Sequence, residues 1–207
     1  MPLQNKVDPF GAIRAVSMRG MFMGNRGGRM HDPDTKTLLP GKTHVSRQWI
    51  TCLTEFKDRP PRHVMGPGSY TELFFLDEVV SLAAGHRPCA ECRRSAFKMF
   101  CATIGPGAVL MKAGDLDRRL HTERTGEKLR LSIDEAAAIP DGSVVADGMF
   151  AFARRQGLAL QISFAGYGVA MPWNEIVERK LQLLSPPTAI LALRNGYKPV
   201  WHPSAGP

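Results

Sequence analysis

Ala83-Ala-Gly-His-Arg-Pro-Cys-Ala-Glu-Cys-Arg-Arg94 places Cys89 and Cys92 two residues apart, between the end of one helix and the start of the next. Asp77 is a good N-cap, because its carboxylate can accept from the orphan N–H groups of a first helical turn. Glu78 to Ala84 then run as two turns, and Gly85 supplies the left-handed residue that stops them. Pro88 disfavours a further turn and holds the chain extended before Cys89. Two thiolates at this spacing can chelate one metal from a tight knuckle, as zinc sites do. A redox pair shares the C-x-x-C pattern. Its thioredoxin form needs the pair at a helix start after a strand, and here a helix, a glycine and a proline come first.

The longer stretch Phe74-Phe-Leu-Asp-Glu-Val-Val-Ser-Leu-Ala-Ala-Gly-His-Arg-Pro-Cys-Ala-Glu-Cys92 resembles the second half of the Ada-type zinc module of bacterial methylphosphotriester repair proteins, across about residues 70–94. In that family an aromatic-ended strand leads to a short helix, then to A-G-[aromatic]-R-P-C-x-x-C-R. Here His86 stands in the aromatic slot. The resemblance implies zinc and a DNA-directed role. The family's upstream C-x-x-x-C pair has no counterpart, and one cysteine of that pair accepts the methyl group, so methyl-transfer repair is not implied. The family's helix-turn-helix partner is not visible either. More loosely, the whole chain resembles bacterial proteins that carry the same motif, which adds no function.

Upstream, Arg47-Gln-Trp-Ile-Thr-Cys-Leu-Thr-Glu-Phe56 alternates as a strand should, with Cys52 on the face of Gln48 and Ile50. Lys57 to Pro61 reads as a turn, Arg62 to Met65 as a returning strand, and Tyr70 to Phe75 as a third. Cys52 is then the best third metal ligand, near where the related module keeps its ligand-bearing hairpin. A buried core thiol is the equal alternative. His63 is the fourth candidate, since its separation from Cys89 resembles that between the family's two pairs. His86 reads as packing, with ligation as the lesser option.

Residues 1–46 form a basic, Gly- and Arg-rich segment with little periodicity, read as an arm or surface loop. Within it, Gly24-Asn-Arg-Gly-Gly-Arg29 can offer backbone N–H groups and the Arg26 and Arg29 guanidinium forks to a phosphate. No G-K-[ST] follows, so it is not a P-loop. After Cys92 a helix over 93–102 buries Ala96, Phe97, Phe100 and Cys101, which makes Cys101 a core residue. Arg87, Arg93, Arg94 and Lys98 surround the knuckle with positive charge, for phosphates or for lowering the thiol pKa.

Beyond Gly105-Pro-Gly107, Asp115 to Arg124 is a charged helix. Ser132 and Glu135 make a capping box. Val144 to Phe164 is a β meander around the Asp147-Gly148 and Gln156-Gly157 turns. Thr188 to Pro199 repeats the order helix, glycine, aromatic, basic residue, proline, ending at Val200-Trp-His202.

The sequence therefore predicts an α+β fold with small antiparallel meanders flanking a helical middle. An Ada-like zinc-binding unit spans 47–104 and an α+β region 105–207, with one continuous domain as the alternative. The chain has 207 residues, 43% of them hydrophobic and 22% charged, with net charge +8 and pI near 9.6. That balance favours a polyanionic partner. No apolar run approaches the roughly 20 residues of a membrane span. The N-terminus lacks a signal-peptide core, and four cysteines make no disulfide framework, so a cytoplasmic location is expected.

Three functions are consistent with these features. The first is a zinc-stabilised nucleic-acid-binding protein, on DNA rather than RNA, in repair or processing. The second is a metal-dependent nuclease using histidines such as His31, His121 or His202, which would need carboxylates converging with them. The third is a structural zinc protein with a protein partner.

Overall fold

The computed structural model describes residues 1–57, 63–105 and 111–206. These form an α+β fold with two sheets joined through a buried helix. The first sheet has six strands in the order β2 (Ile13–Ala15), β1 (Gln4–Val7), β5 (Leu73–Phe75), β3 (Phe22–Arg26), β4 (Trp49–Leu53) and β6 (Arg87–Pro88). Its β1–β5 and β4–β6 pairs are parallel and the others antiparallel. The second sheet is antiparallel throughout, in the order β10 (Gly166–Pro172), β9 (Leu158–Ser163), β8 (Phe150–Arg155), β7 (Val144–Asp147) and β11 (Gln182–Leu183).

Helix α1 (Glu78–Ala83) connects the two sheets, and all six of its residues are buried. Asp77 caps it by accepting from the Val80 N–H at 2.9 Å, and Gly85 leaves it at φ +80°. Val79, Val80 and Ala83 pack on Val144, Ala151 and Leu160 of the second sheet. Leu82 faces a second cluster with Phe100 and Cys101 of α2 (Arg94–Thr103), Leu116 and Leu120 of α3 (Ala113–Thr125), and Ala192 and Leu193 of α6 (Pro187–Arg194). Both clusters unite residues from before and after the Gly-Pro-Gly stretch, whose second and third residues lie outside the described segments. Helix α4 (Ile133–Ala138), opened by the Ser132–Glu135 capping box, and α5 (Trp173–Ile176) close the far side of the second sheet.

The N-terminal segment departs from its reading as an arm. It supplies three of the six strands, and β3 lies at the heart of the sheet between β5 and β4. Gly24 masks this strand in the sequence, but a Cβ there would stand 2.1 Å from the Ile50 carbonyl oxygen and 2.9 Å from the Phe75 ring. A glycine inside a strand can mark close backbone approach as well as a loop. The returning strand expected over 62–65 is absent in its described part, where Val64 and Met65 form a turn with Met65 at φ +54°. β3 takes that place beside β4. The Lys57–Pro61 turn lies largely outside the described residues, as does Arg62.

The C-terminal echo of the opening motif is a shared helix stop. His86 donates its backbone N–H to Ser81 and Gly85 to Leu82, each at 2.9 Å, while Tyr197 donates to Ala192 at 2.9 Å and Gly196 to Leu193 at 3.1 Å. Both are the six-to-one and five-to-two bonds of a Schellman motif. No helix among the described residues is long and apolar enough to cross a membrane.

Candidate metal centre

Two neighbouring strands and the turn after the second bring three cysteines together. The β4–β6 pair matches Thr51 with Pro88, and the Cys89 N–H extends that ladder to the Thr51 carbonyl at 2.9 Å. Cys89 thereby arrives beside Cys52, one residue further along β4. The chain then turns, so that Cys92 folds back before α2 opens at Arg94. The sulfurs of Cys52, Cys89 and Cys92 all lie within 4.8 Å of one another, and all three thiols are free. Tetrahedral zinc with bonds of about 2.3 Å sets its sulfurs about 3.8 Å apart. The cluster needs only a small contraction to reach that spacing.

The knuckle is electrostatically prepared for a cation. The Glu91 N–H donates to the Cys89 sulfur at 3.4 Å. Hydrogen bonds from the Cys52 and Cys92 thiols, then backbone N–H groups, hold the Cys89 thiol well below its ordinary range. Cys52 is pushed up, first by its hydrogen bonds to Cys89 and Cys92 and then by burial. One thiolate forms readily, and the others need a positive charge among them. A divalent cation supplies that charge, and binding it releases the remaining protons.

Three thiolates leave one position of a tetrahedral metal open. The cluster stands at the edge of a cavity of about 580 Å³, floored by the sheet face that carries Cys52, Met23 and Phe74. His63 is exposed and lies outside the three-cysteine group. Cys101 is buried in the helical core, as its periodicity indicates.

The six basic candidates divide evenly. Arg94, Lys98 and Arg29 are exposed. Arg26, Arg87 and Arg93 are buried and bonded into the fold, which corrects their reading as a phosphate-binding surface. Arg87 makes a two-pronged pair with Asp117 of α3, both bonds at 2.8 Å. Arg93 pairs with Glu78 at 2.7 Å. Arg26 donates to Gly11 and Thr43 carbonyls and to His86 Nε2, and lies 3.8 Å from the Trp49 ring centroid. Burial and then the neighbouring Arg124 push its guanidinium down to about 9. A basic residue beside a functional motif looks the same in sequence whether a phosphate or a carboxylate 30 residues away receives it.

The candidate catalytic histidines are dispersed. His31 is fully buried between Thr71 Oγ1 at 2.8 Å and the Gly66 carbonyl at 3.3 Å. His202 caps the final 3-10 turn through Ser204. His121 sits 5.2 Å from the His44 ring, centroid to centroid. Among the described residues, no group of histidines and carboxylates gathers as metal ligands would. His86 packs between Trp49 and Phe75, centroids at 5.0 and 4.7 Å, and so fills the aromatic slot as a neutral ring.

One polar residue of this cavity escaped the sequence reading. Glu72 is 1% exposed, accepts from the Met65 N–H through Oε2 at 2.8 Å, and among the described residues has no hydrogen-bond partner for Oε1. The signal was a carboxylate inside the alternating strand Tyr70-Thr-Glu-Leu-Phe-Phe75, on the same side as Tyr70 and Phe74.

No family model, no curated protein and no solved structure matches this chain.

Proposed function

We propose that the protein is a zinc-stabilised nucleic-acid-binding protein that acts on DNA in repair or processing. The observation that carries this reading is the convergence of Cys52 with Cys89 and Cys92. The Ada-like pattern implies a metal at the cysteine pair, and the fold delivers a third thiol to it from a separate strand. Zinc suits a tetrahedral site with three thiolates. The net charge of +8 and the exposed Arg94, Lys98 and Arg29 favour a polyanion, with phosphate contacts as the source of affinity.

The nuclease reading has less support, because its histidines stand apart from one another and from the cysteines. The test is binding of a labelled duplex and of single-stranded DNA across a salt series, on protein whose zinc content is measured in parallel. One zinc per chain, with log K falling linearly with log[salt], is the expected result. Zinc without DNA retention at low salt would leave a structural zinc protein with a protein partner. Neither zinc nor retention would remove the reading altogether.

A further inference from the structure

The cavity beside the cysteine cluster has its own polar anchor. A buried carboxylate oxygen without a donor is costly, and native folds rarely leave one so. Glu72 Oε1 is such an atom, and Glu72 lines the same cavity as the three cysteines. Of the described cations nearby, Lys57 lines the cavity and lies over the Phe56 ring at 5.0 Å, while Lys6 lies over the Phe74 ring at 5.1 Å and donates to Asn5.

Sheet geometry sets the distance between the two ends. Cys52 pairs with Met23, and Met23 with Phe74, so Cys52 and Phe74 are two strands apart in one row. Glu72 lies two residues before Phe74. Strand spacings of about 4.8 Å and a rise of about 3.4 Å per residue put the Cys52 and Glu72 Cα atoms about 12 Å apart. Glu72 stands outside the three-cysteine group, and the cavity that both line lies between them. Asn25 lines the same floor, one step beyond the Gly24–Leu73 pair. Its Oδ1 accepts from the Gly27 N–H at 3.0 Å, which leaves its amide N–H groups as donors. The Phe74 ring supplies an apolar face. An acceptor, a donor and a ring face within roughly 300–1,000 Å³ are what a small planar ligand requires.

We infer that this cavity binds an amino-bearing heterocycle of nucleobase size, with Glu72 Oε1 accepting from its exocyclic amine and its far edge directed to the metal centre. The inference builds on the nucleic-acid reading above, in which such a base reaches the cavity once it leaves the stack. A carboxylate accepts from the amino group of cytosine or adenine. It meets only a carbonyl oxygen at the same position of uracil or hypoxanthine, and a site built to pair a donor rejects the analogue that lacks it.

The test uses the full chain, with zinc measured on every sample and ligand-observed saturation-transfer NMR as the readout. Cytidine, uridine, adenosine and inosine serve as probes. Wild type should bind each amino nucleoside about tenfold or more tighter than its oxo partner. Glu72→Gln, which turns the free acceptor into a donor, should abolish or invert that preference. The wild-type comparison needs no variant, so it stands even where Glu72→Gln fails to fold. Full zinc with no preference overturns the pocket and leaves the metal site intact. A retained preference without zinc supports the pocket and removes the metal. Absence of both removes both, and a preference unchanged in folded Glu72→Gln overturns the role of Glu72.

Discussion

Arg93 and Glu78 form a buried ion pair at 2.7 Å, which ties the residue after the cysteine knuckle to the first residue of α1. Glu78 also accepts from the Tyr197 hydroxyl at 2.6 Å and the Val200 N–H at 3.0 Å. Asp77 beside it accepts from the Tyr167 hydroxyl at 2.7 Å and the His202 N–H at 3.0 Å. Two adjacent carboxylates thus anchor the knuckle, the second sheet and the C-terminal tail at one point. Burial and then the Glu78 carboxylate push the Tyr197 phenol up, so it remains a donor at working pH.

Arg93→Ala leaves the Glu78 carboxylate buried with its charge unpaired. Breaking such a pair costs about 3–5 kcal/mol, and the low end applies because Tyr197 and Val200 still donate. Urea unfolding should show a loss of about 3 kcal/mol. Arg93→Ala that melts like wild type would mean the pair contributes nothing to stability.

Arg94 and Lys98 are one helical turn apart on the outer side of α2, and neither supports the fold. Replacing both with Gln should leave thermal stability within about 0.5 kcal/mol of wild type. If each contacts one phosphate, the slope of log K against log[salt] on duplex DNA should fall by about 2. An unchanged slope would place the DNA surface elsewhere on the chain.

The knuckle and most of its surroundings were legible because local rules determine them. Asp77, Gly85 and Pro88 each act within a few residues, and the meander over 144–163 is punctuated by its own turns. The fate of the arginines was not legible, since Arg87 finds Asp117 and Arg26 finds His86 only through tertiary structure. β3 was hidden for a related reason. Gly24 signals a loop in one dimension, and only the approach of the Ile50 carbonyl shows that it sits in a central strand. Of the three clustered cysteines, the C-x-x-C pair is local, whereas Cys52 required the parallel β4–β6 register to become more than a buried thiol.

If the cluster holds zinc as proposed, removing it separates the cysteines by role. A metal held at about 1,000 times its dissociation constant stabilises the fold by about 4 kcal/mol, which for a chain of this size is roughly 10 °C in Tm. A strong chelator should lower the wild-type and Cys101→Ser melting temperatures by about that amount. Cys52→Ser should melt low from the start and respond little. A Cys101→Ser variant that loses zinc, or a Cys52→Ser variant that keeps it, would overturn the ligand assignment.

The acid side of the stability curve should carry the signature of His86. Its ring is 1% exposed, and it accepts from Arg26 Nε at 3.3 Å through Nε2, so the folded state holds it neutral with the proton on Nδ1. Burial, followed by the Arg26 and Arg124 charges, lowers its pKa well below 6.5. A base depressed in this way contributes stability above the unfolded pKa, and that contribution is lost as pH falls. Below about pH 6.5 the unfolded chain takes up a proton that the folded one refuses, and stability drops by up to about 1.4 kcal/mol per pH unit. Protonation of the clustered cysteines would also weaken a metal-loaded fold in acid, so the informative quantity is the difference between wild type and His86→Phe. That variant keeps the ring contacts with Trp49 and Phe75 and forfeits the single bond from Arg26, about 1 kcal/mol at neutral pH. It should therefore begin below wild type at pH 7.5 and lose less on acidification, with the two unfolding free energies converging by about pH 5.5. Parallel curves would show that His86 titrates normally in the folded chain, in conflict with its burial between two aromatic rings and two guanidinium groups.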